Sequence, residues 1–260
     1  MSIASLFDPL YTFTGFFVGL VVGVTGVGGG ALMTPALVLL FGVHPATAVG
    51  TDLLYAGLTK AVGTAVHGRN RTVDWRITTR LASGSLPASV LTLGMLQYLG
   101  ISGDSAAWVI SKALGVALVF TAVAIVIGLR AHKRPVEIEE TPRGPGATIA
   151  LGVLLGVLVT ISSVGAGAVG VTALMMLYPR MPIVRIVGSD IAHAVPLTLV
   201  AGLGHVWLGS VNWQMLGSLL LGSIPGIVIA SHYAARMPDK FLRPALAFIL
   251  IIVAFKLLVK

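Results

Sequence analysis

The chain has 260 residues, 56% hydrophobic and only 10% charged, and its 17 basic and 9 acidic groups give a net charge of +8. A soluble domain carries about 25% charged residues, so a fully water-facing exterior is excluded and most of the surface must face lipid. The absence of cysteine excludes disulfides and thiolate metal sites, and basic residues that fall between apolar runs read as membrane topology and not as a nucleic-acid interface.

Residues Met1 to Pro9 lack a basic n-region, so the first apolar stretch is read as a retained membrane segment and not as a cleaved leader. Residues 10–42 are apolar for too long to be one span, which needs about 20 residues. They are interrupted at Gly26-Val27-Gly28-Gly29-Gly30, leaving arms of about 15 residues, roughly 22 Å each. A broken hairpin with its tip at membrane depth is the expectation. Full spans are expected at about 46–68, 77–99 and 106–129. Residues 130–146 form a polar linker with Arg130, Lys133, Arg134 and three glutamates, ending in Pro142-Arg143-Gly144-Pro145. A second over-long stretch, 147–179, is interrupted at Ser162-Ser163-Val164-Gly165-Ala166-Gly167, and spans follow at about 185–206, 213–235 and 241–259. The expected fold is an all-α polytopic membrane protein with eight or more membrane helices and two broken hairpins.

The halves resemble one another at an offset of 138 positions. Gly50-Thr51-Asp52 aligns with Gly188-Ser189-Asp190, His67 with His205, Thr72-Val73-Asp74-Trp75 with Ser210-Val211-Asn212-Trp213, and Gly84-Ser85-Leu86-Pro87 with Gly222-Ser223-Ile224-Pro225. Thr25, Gly29 and Thr34 meet Ser163, Gly167 and Thr172. Chance likeness of apolar stretches would match Leu and Val, not Trp, His, Asp and Pro together. An N-terminal repeat over 1–135, a linker over 130–146 and a C-terminal repeat over 147–260 are therefore expected.

Corresponding loops carry opposite charge bias. Arg69, Arg71, Arg76 and Arg80 face a counterpart without basic residues at 207–212. Arg180 and Arg185 answer a neutral 43–46 turn, and Arg236, Lys240 and Arg243 answer a neutral 100–105 turn. Basic loops are cytoplasmic, so the repeats are expected to be inverted, with a cytoplasmic linker and both termini periplasmic. Lys256 and Lys260 then end outside, against the rule.

The breaks carry the chemistry. Irregular backbone at membrane depth is tolerated only against protein or a water-filled cavity. The helix starting after each break exposes unpaired amide hydrogens at its positive end, which suits an anion. The candidate binding residues are Thr25, Gly28, Gly29, Gly30, Thr34, Ser162, Ser163, Gly165, Gly167 and Thr172, with Lys60 as a mid-span positive charge. The plainer alternative is close helix packing, which Gly15, Gly19 and Gly23 at four-residue spacing suit. Asp52 and Asp190 fall inside spans, where ionisable groups are rare and functional. They are candidates for proton coupling, with His193 on the face of Asp190, or else they cap a neighbouring hairpin. Lys112 serves either an anion path or an ion pair, and His67 and His205 read as interfacial hydrogen-bonding groups. No metal or cofactor site is expected.

The run Gly26-Val27-Gly28-Gly29-Gly30-Ala31-Leu32-Met33-Thr34-Pro35, with Ala48-Val49-Gly50-Thr51-Asp52 and Gly84-Ser85-Leu86-Pro87, resembles the TauE/SafE sulfite exporter family. Ser163-Val164-Gly165-Ala166-Gly167 and Val187-Gly188-Ser189-Asp190 form the degenerate second copy. The resemblance covers nearly the whole chain. It implies a transporter, not an enzyme, that moves sulfite, sulfoacetate or a similar sulfur-containing anion across the inner membrane, as a monomer or homodimer. A thiosulfate-importing branch of the family uses cysteines that this chain lacks. A passive anion channel, an intramembrane aspartyl enzyme and an accessory subunit are the competing readings.

Overall fold

A computed structural model describes residues 7–25, 30–99, 103–131, 145–233 and 239–259. These residues form helices only: α1 (Pro9–Thr25), α2 (Gly30–Leu40), α3 (Pro45–Arg69), α4 (Trp75–Tyr98), α5 (Gly103–Ala131), α6 (Pro145–Ser162), α7 (Ala168–Leu177), α8 (Ile183–Trp207), α9 (Trp213–Tyr233) and α10 (Asp239–Val259).

Much of the outer surface is aliphatic and aromatic. Val62, Leu91, Phe120, Leu154, Val228 and Phe255 are among many large apolar side chains that stand exposed. A patch of that extent is stable in lipid and not in water. The four tryptophans of the chain, Trp75, Trp108, Trp207 and Trp213, are exposed at or near helix ends, where amphipathic rings sit at the headgroup level. The protein is an all-helical polytopic membrane protein.

Four stretches are long and apolar enough to cross a bilayer on length and composition: Ala107–Gly128, Pro145–Ser162, Ile183–Trp207 and Trp213–Ala230. The expected spans 46–68 and 77–99 are helices of 25 and 24 residues, α3 and α4, but they fall outside this apolar set. Asp52, Lys60, Arg76 and Arg80 lower their hydropathy, and α3 affords this because it lies against other helices, with Thr51, Asp52 and Tyr55 buried. The hairpin arms are unequal, 17 and 11 residues in the first and 18 and 10 in the second, not about 15 each. The long arms approach the thickness of the hydrocarbon layer, at about 26 Å, and the short ones reach half of it. Thr148 near the start of α6 shares a 2.6 Å hydrogen bond with Tyr178 just past α7, so both ends of the second hairpin lie at one level.

Packing runs across the halves. α1 lies along α9, α4 along α6, α3 along α8 and α5 along α10. Small residues let the backbones touch: Gly15 and Gly19 lie against Leu219 and Ser223, and Gly152 and Gly156 lie against Leu81 and Ser85. The same pairing recurs where α3 meets α8. Gly50 abuts the Ser210 carbonyl and Gly188 the Thr72 carbonyl. The Thr51 hydroxyl accepts from the Asn212 amide (3.0 Å), and the Ser189 hydroxyl accepts from the Asp74 amide (2.8 Å). The two pairs of α3–α8 contacts join residues 138 positions apart from their counterparts.

Candidate functional site

The chain between α6 and α7 cannot continue as a helix. Ser163 has φ 59°, and Gly165 and Gly167 have φ 129° and 122°, a left-handed region that glycine enters without a Cβ penalty. Ser162 closes α6 on itself: its hydroxyl donates to the Leu158 carbonyl (2.6 Å) and accepts from the Val164 amide (3.2 Å). Gly167 precedes α7 and no side chain caps that helix, so its first amides point out of the break with the positive end of the helix behind them.

The long helices α3 and α8 face this break. At one spacing α3 presents Asp52 and Tyr55, and α8 presents Asp190 and His193, all four at 1% exposure or less. The Thr34 hydroxyl of α2 donates to Asp52 Oδ2. Ser163 lies beside the same carboxyl group without a hydrogen bond of normal geometry. Lys60 donates to the Ala166 carbonyl of the break (3.3 Å). It feels the charges of both Asp52 and Asp190, yet forms an ion pair with neither; the described ion pair is Arg185 with Asp74 (3.2 Å) at the far ends of α8 and α4.

Buried polar atoms almost always have hydrogen-bond partners. Eight described side-chain atoms here have none: Asp52 Oδ1, Tyr55 OH, Thr64 Oγ1, Ser163 Oγ, both Asp190 oxygens, His193 Nδ1 and His205 Nδ1. Every one belongs to α3, α8 or the break between α6 and α7. By contrast, a groove of about 560 Å³ between α1 and α9, lined by Phe7, Pro9, Phe13, Phe16 and Pro225, is apolar and shares none of these residues.

The sequence candidates separate into groups. Lys60, Asp52, Asp190, His193, Ser163, Gly165 and Gly167 come together around the second break. Thr34 is spent on Asp52, and Thr172 donates to the Ala124 carbonyl of α5 (3.0 Å). Gly28 and Gly29 lie outside the described residues, as do residues 132–144 of the linker. Thr25 ends α1 and Gly30 begins α2, with side-chain surroundings outside the description. His193 shares no hydrogen bond with Asp190; its Nε2 is 2.8 Å from the Ser85 hydroxyl of α4, because the α8 face that carries His193 packs against α4. Lys112 neither pairs with an acid nor enters the cluster: it donates to the Leu258 carbonyl at the end of α10 (2.6 Å) and sits 6.0 Å from the Trp108 ring centroid. His205 is 1% exposed, with Nε2 3.0 Å from the Thr160 carbonyl, so it is a core residue and not an interfacial one. Tyr55, Ser85 and Ser223 were not among the sequence candidates. The signal for them was available in the aligned halves: Tyr55 occupies the column of His193, and Ser85 that of Ser223, which lies beside Tyr55 as Ser85 lies beside His193.

An aspartyl-enzyme dyad needs two carboxyl groups sharing one proton. Asp52 Oδ2 is held by Thr34, and the remaining three oxygens share no hydrogen bond. Comparison with known proteins agrees with transport. The chain matches the family described as "Sulfite exporter TauE/SafE" over residues 11–257. It is 38% identical over 248 residues to the Bacillus subtilis "Probable membrane transporter protein YjnA", covering 94% of this chain and 97% of that one. It is 26% identical over 246 residues to the "Probable membrane transporter protein MJ0441" of Methanocaldococcus jannaschii, covering 89% and 86%. No solved structure matches it. A helical bundle clothed in apolar side chains, with the unpaired polar atoms of its described residues confined to α3, α8 and the break between α6 and α7, thus belongs to the TauE/SafE sulfite exporter family of membrane transporters.

Proposed function

We propose that the protein is a secondary transporter that exports sulfite or a small organosulfonate such as sulfoacetate across the cytoplasmic membrane. The observation that carries this reading is the confinement of all eight partnerless buried polar atoms of the described residues to α3, α8 and the break at 163–167. An anion seated there has the Lys60 ammonium as counter-charge, the uncapped start of α7 as amide donor, and the Ser163 hydroxyl beside it. The choice of a sulfur anion and of export rests on the family.

The position near the bilayer midplane is supported by helix length. From its end beside Thr148 back to Ala168, α7 has 10 residues and reaches about 15 Å into a hydrocarbon layer of about 30 Å. Contacts that recur 138 residues apart, together with the opposite charge bias of matching loops, support two inverted repeats, 1–135 and 147–260, with a cytoplasmic linker and periplasmic termini. Movement of one repeat against the other then exposes the site to each side in turn.

The test is efflux from proteoliposomes loaded with sulfite or sulfoacetate. Saturable efflux is expected. Lys60→Met is expected to lower apparent affinity roughly tenfold to a hundredfold, the worth of one charge-assisted hydrogen bond. Efflux that never saturates would make the protein a passive channel, and no efflux of either anion would overturn the reading.

A further inference from the structure

The two halves treat their buried carboxyl groups differently. Asp52 is tied: Thr34 of α2 donates to it, and Ser163 of the opposite hairpin lies beside it. Asp190 is not. The residue in the column of Thr34 is Thr172, and its hydroxyl is turned to the Ala124 carbonyl of α5. Where α2 carries Leu32, α7 carries Gly170, which runs so close that any Cβ there would collide with Asp190 Oδ1. Asp190 is 1% exposed; the Gly167 amide at the start of α7 lies beside its carboxyl group, but neither of its oxygens has a hydrogen bond of normal geometry. A carboxylate in that state is costly unless its charge is balanced.

Beside the neutral Gly167 amide, the described groups around it leave Lys60 as the charge that balances it. α3 brings Lys60 and also Asp52, which has the same sign as Asp190. On α8 itself, His193 meets Ser85 through Nε2 and has no partner at Nδ1, and Arg185 is paired with Asp74. α7 and α6 bring Gly170 and Leu155, without charge, and α4 brings the neutral Thr78 and Ser85. Residues 26–29 of the first hairpin contain no titratable side chain.

We propose that Asp190, and not its counterpart Asp52, takes up one proton for each anion bound, because the Asp190 carboxylate and the anion share Lys60 as counter-charge. This rests on the anion site described under Proposed function. With the site empty, the carboxylate and the ammonium balance across the gap. A monoanion at the start of α7 claims the charge of Lys60. The carboxylate is then uncompensated, an O–H bond forms at one of its free oxygens with a proton from water, and the net charge of the site is unchanged. Asp52, held by Thr34, keeps its state throughout.

The experiment is calorimetric titration of the full-length protein in detergent with methanesulfonate, a monoanion whose charge does not vary with pH. It is run at one pH in buffers of different ionisation heat, so that the buffer dependence counts protons. Wild type is expected to take up about one proton per anion. Asp190→Asn is expected to bind methanesulfonate with no proton uptake, and Asp52→Asn to retain the uptake. Binding by wild type without proton exchange sinks this inference and leaves the anion site standing. Uptake that persists in Asp190→Asn puts the proton on another group of the cluster, such as Lys60 or His193, and overturns it as well. No binding by wild type defeats the anion site and this inference together.

Discussion

Replacing Thr34 by valine removes the hydroxyl that donates to the buried Asp52 carboxyl group. Thr34 and Asp52 are both 0% exposed, so no water reaches the carboxyl group from the described surface. Valine has nearly the volume of threonine, so no cavity opens and the effect is purely polar. Thr34 donates to Oδ2, and Oδ1 has no partner, so the variant loses the side-chain hydrogen bond of normal geometry and keeps only the Ser163 hydroxyl and the residue-34 amide nearby. Losing a bond to an ionised group is expected to cost about 2–3 kcal/mol, roughly 30-fold to 150-fold in the unfolding equilibrium. Thr172→Val is the matched control. Its hydroxyl donates to a neutral helix carbonyl, and its loss is expected to cost about 0.5–1.5 kcal/mol. Reversible unfolding in mixed detergent micelles, followed by helicity, measures both. A double-mutant cycle of Thr34→Val with Asp52→Asn is expected to show coupling of about 1 kcal/mol or more. The reasoning fails if Thr34→Val lies within about 0.5 kcal/mol of wild type, or if the two threonines cost the same.

Helix contacts and topology give two further tests. Gly222→Ala drives a methyl group into the Thr12 carbonyl and Gly84→Ala drives one into the Ile149 carbonyl, and each is expected to destabilise by about 1–3 kcal/mol because backbone cannot yield as a side chain can. Gly94→Ala meets nothing and is expected to be neutral or to stabilise by up to about 1 kcal/mol. Equal effects in the three variants would remove backbone contact as the cause. The absence of cysteine makes single-site labelling direct: Arg76→Cys and Gln214→Cys, exposed residues at matching columns, are expected to react with an impermeant maleimide from the cytoplasmic and periplasmic sides respectively. Labelling from one side in both would refute inversion.

Composition alone determined the membrane class, because a chain with 10% charged residues has too little polar surface to cover itself in water. The site of the second break was also legible, since Ser162 through Gly167 interrupts an apolar run with residues that do not hold a helix. The two intramembrane aspartates were visible for the same reason: an ionisable residue in a span stands out in one dimension. What the sequence presented as equivalent, the tertiary structure made different. Asp52 and Asp190 occupy matching columns, yet a threonine eighteen positions away donates to the first, and the matching threonine turns to another helix and leaves the second with no side-chain donor. His193 is engaged by Ser85, 108 residues distant, and Lys60 by Ala166, 106 residues distant. Polarity along the chain is a local property that residue types specify. Which buried group is satisfied depends on partners delivered by helices remote in sequence, and only the packed bundle decides that.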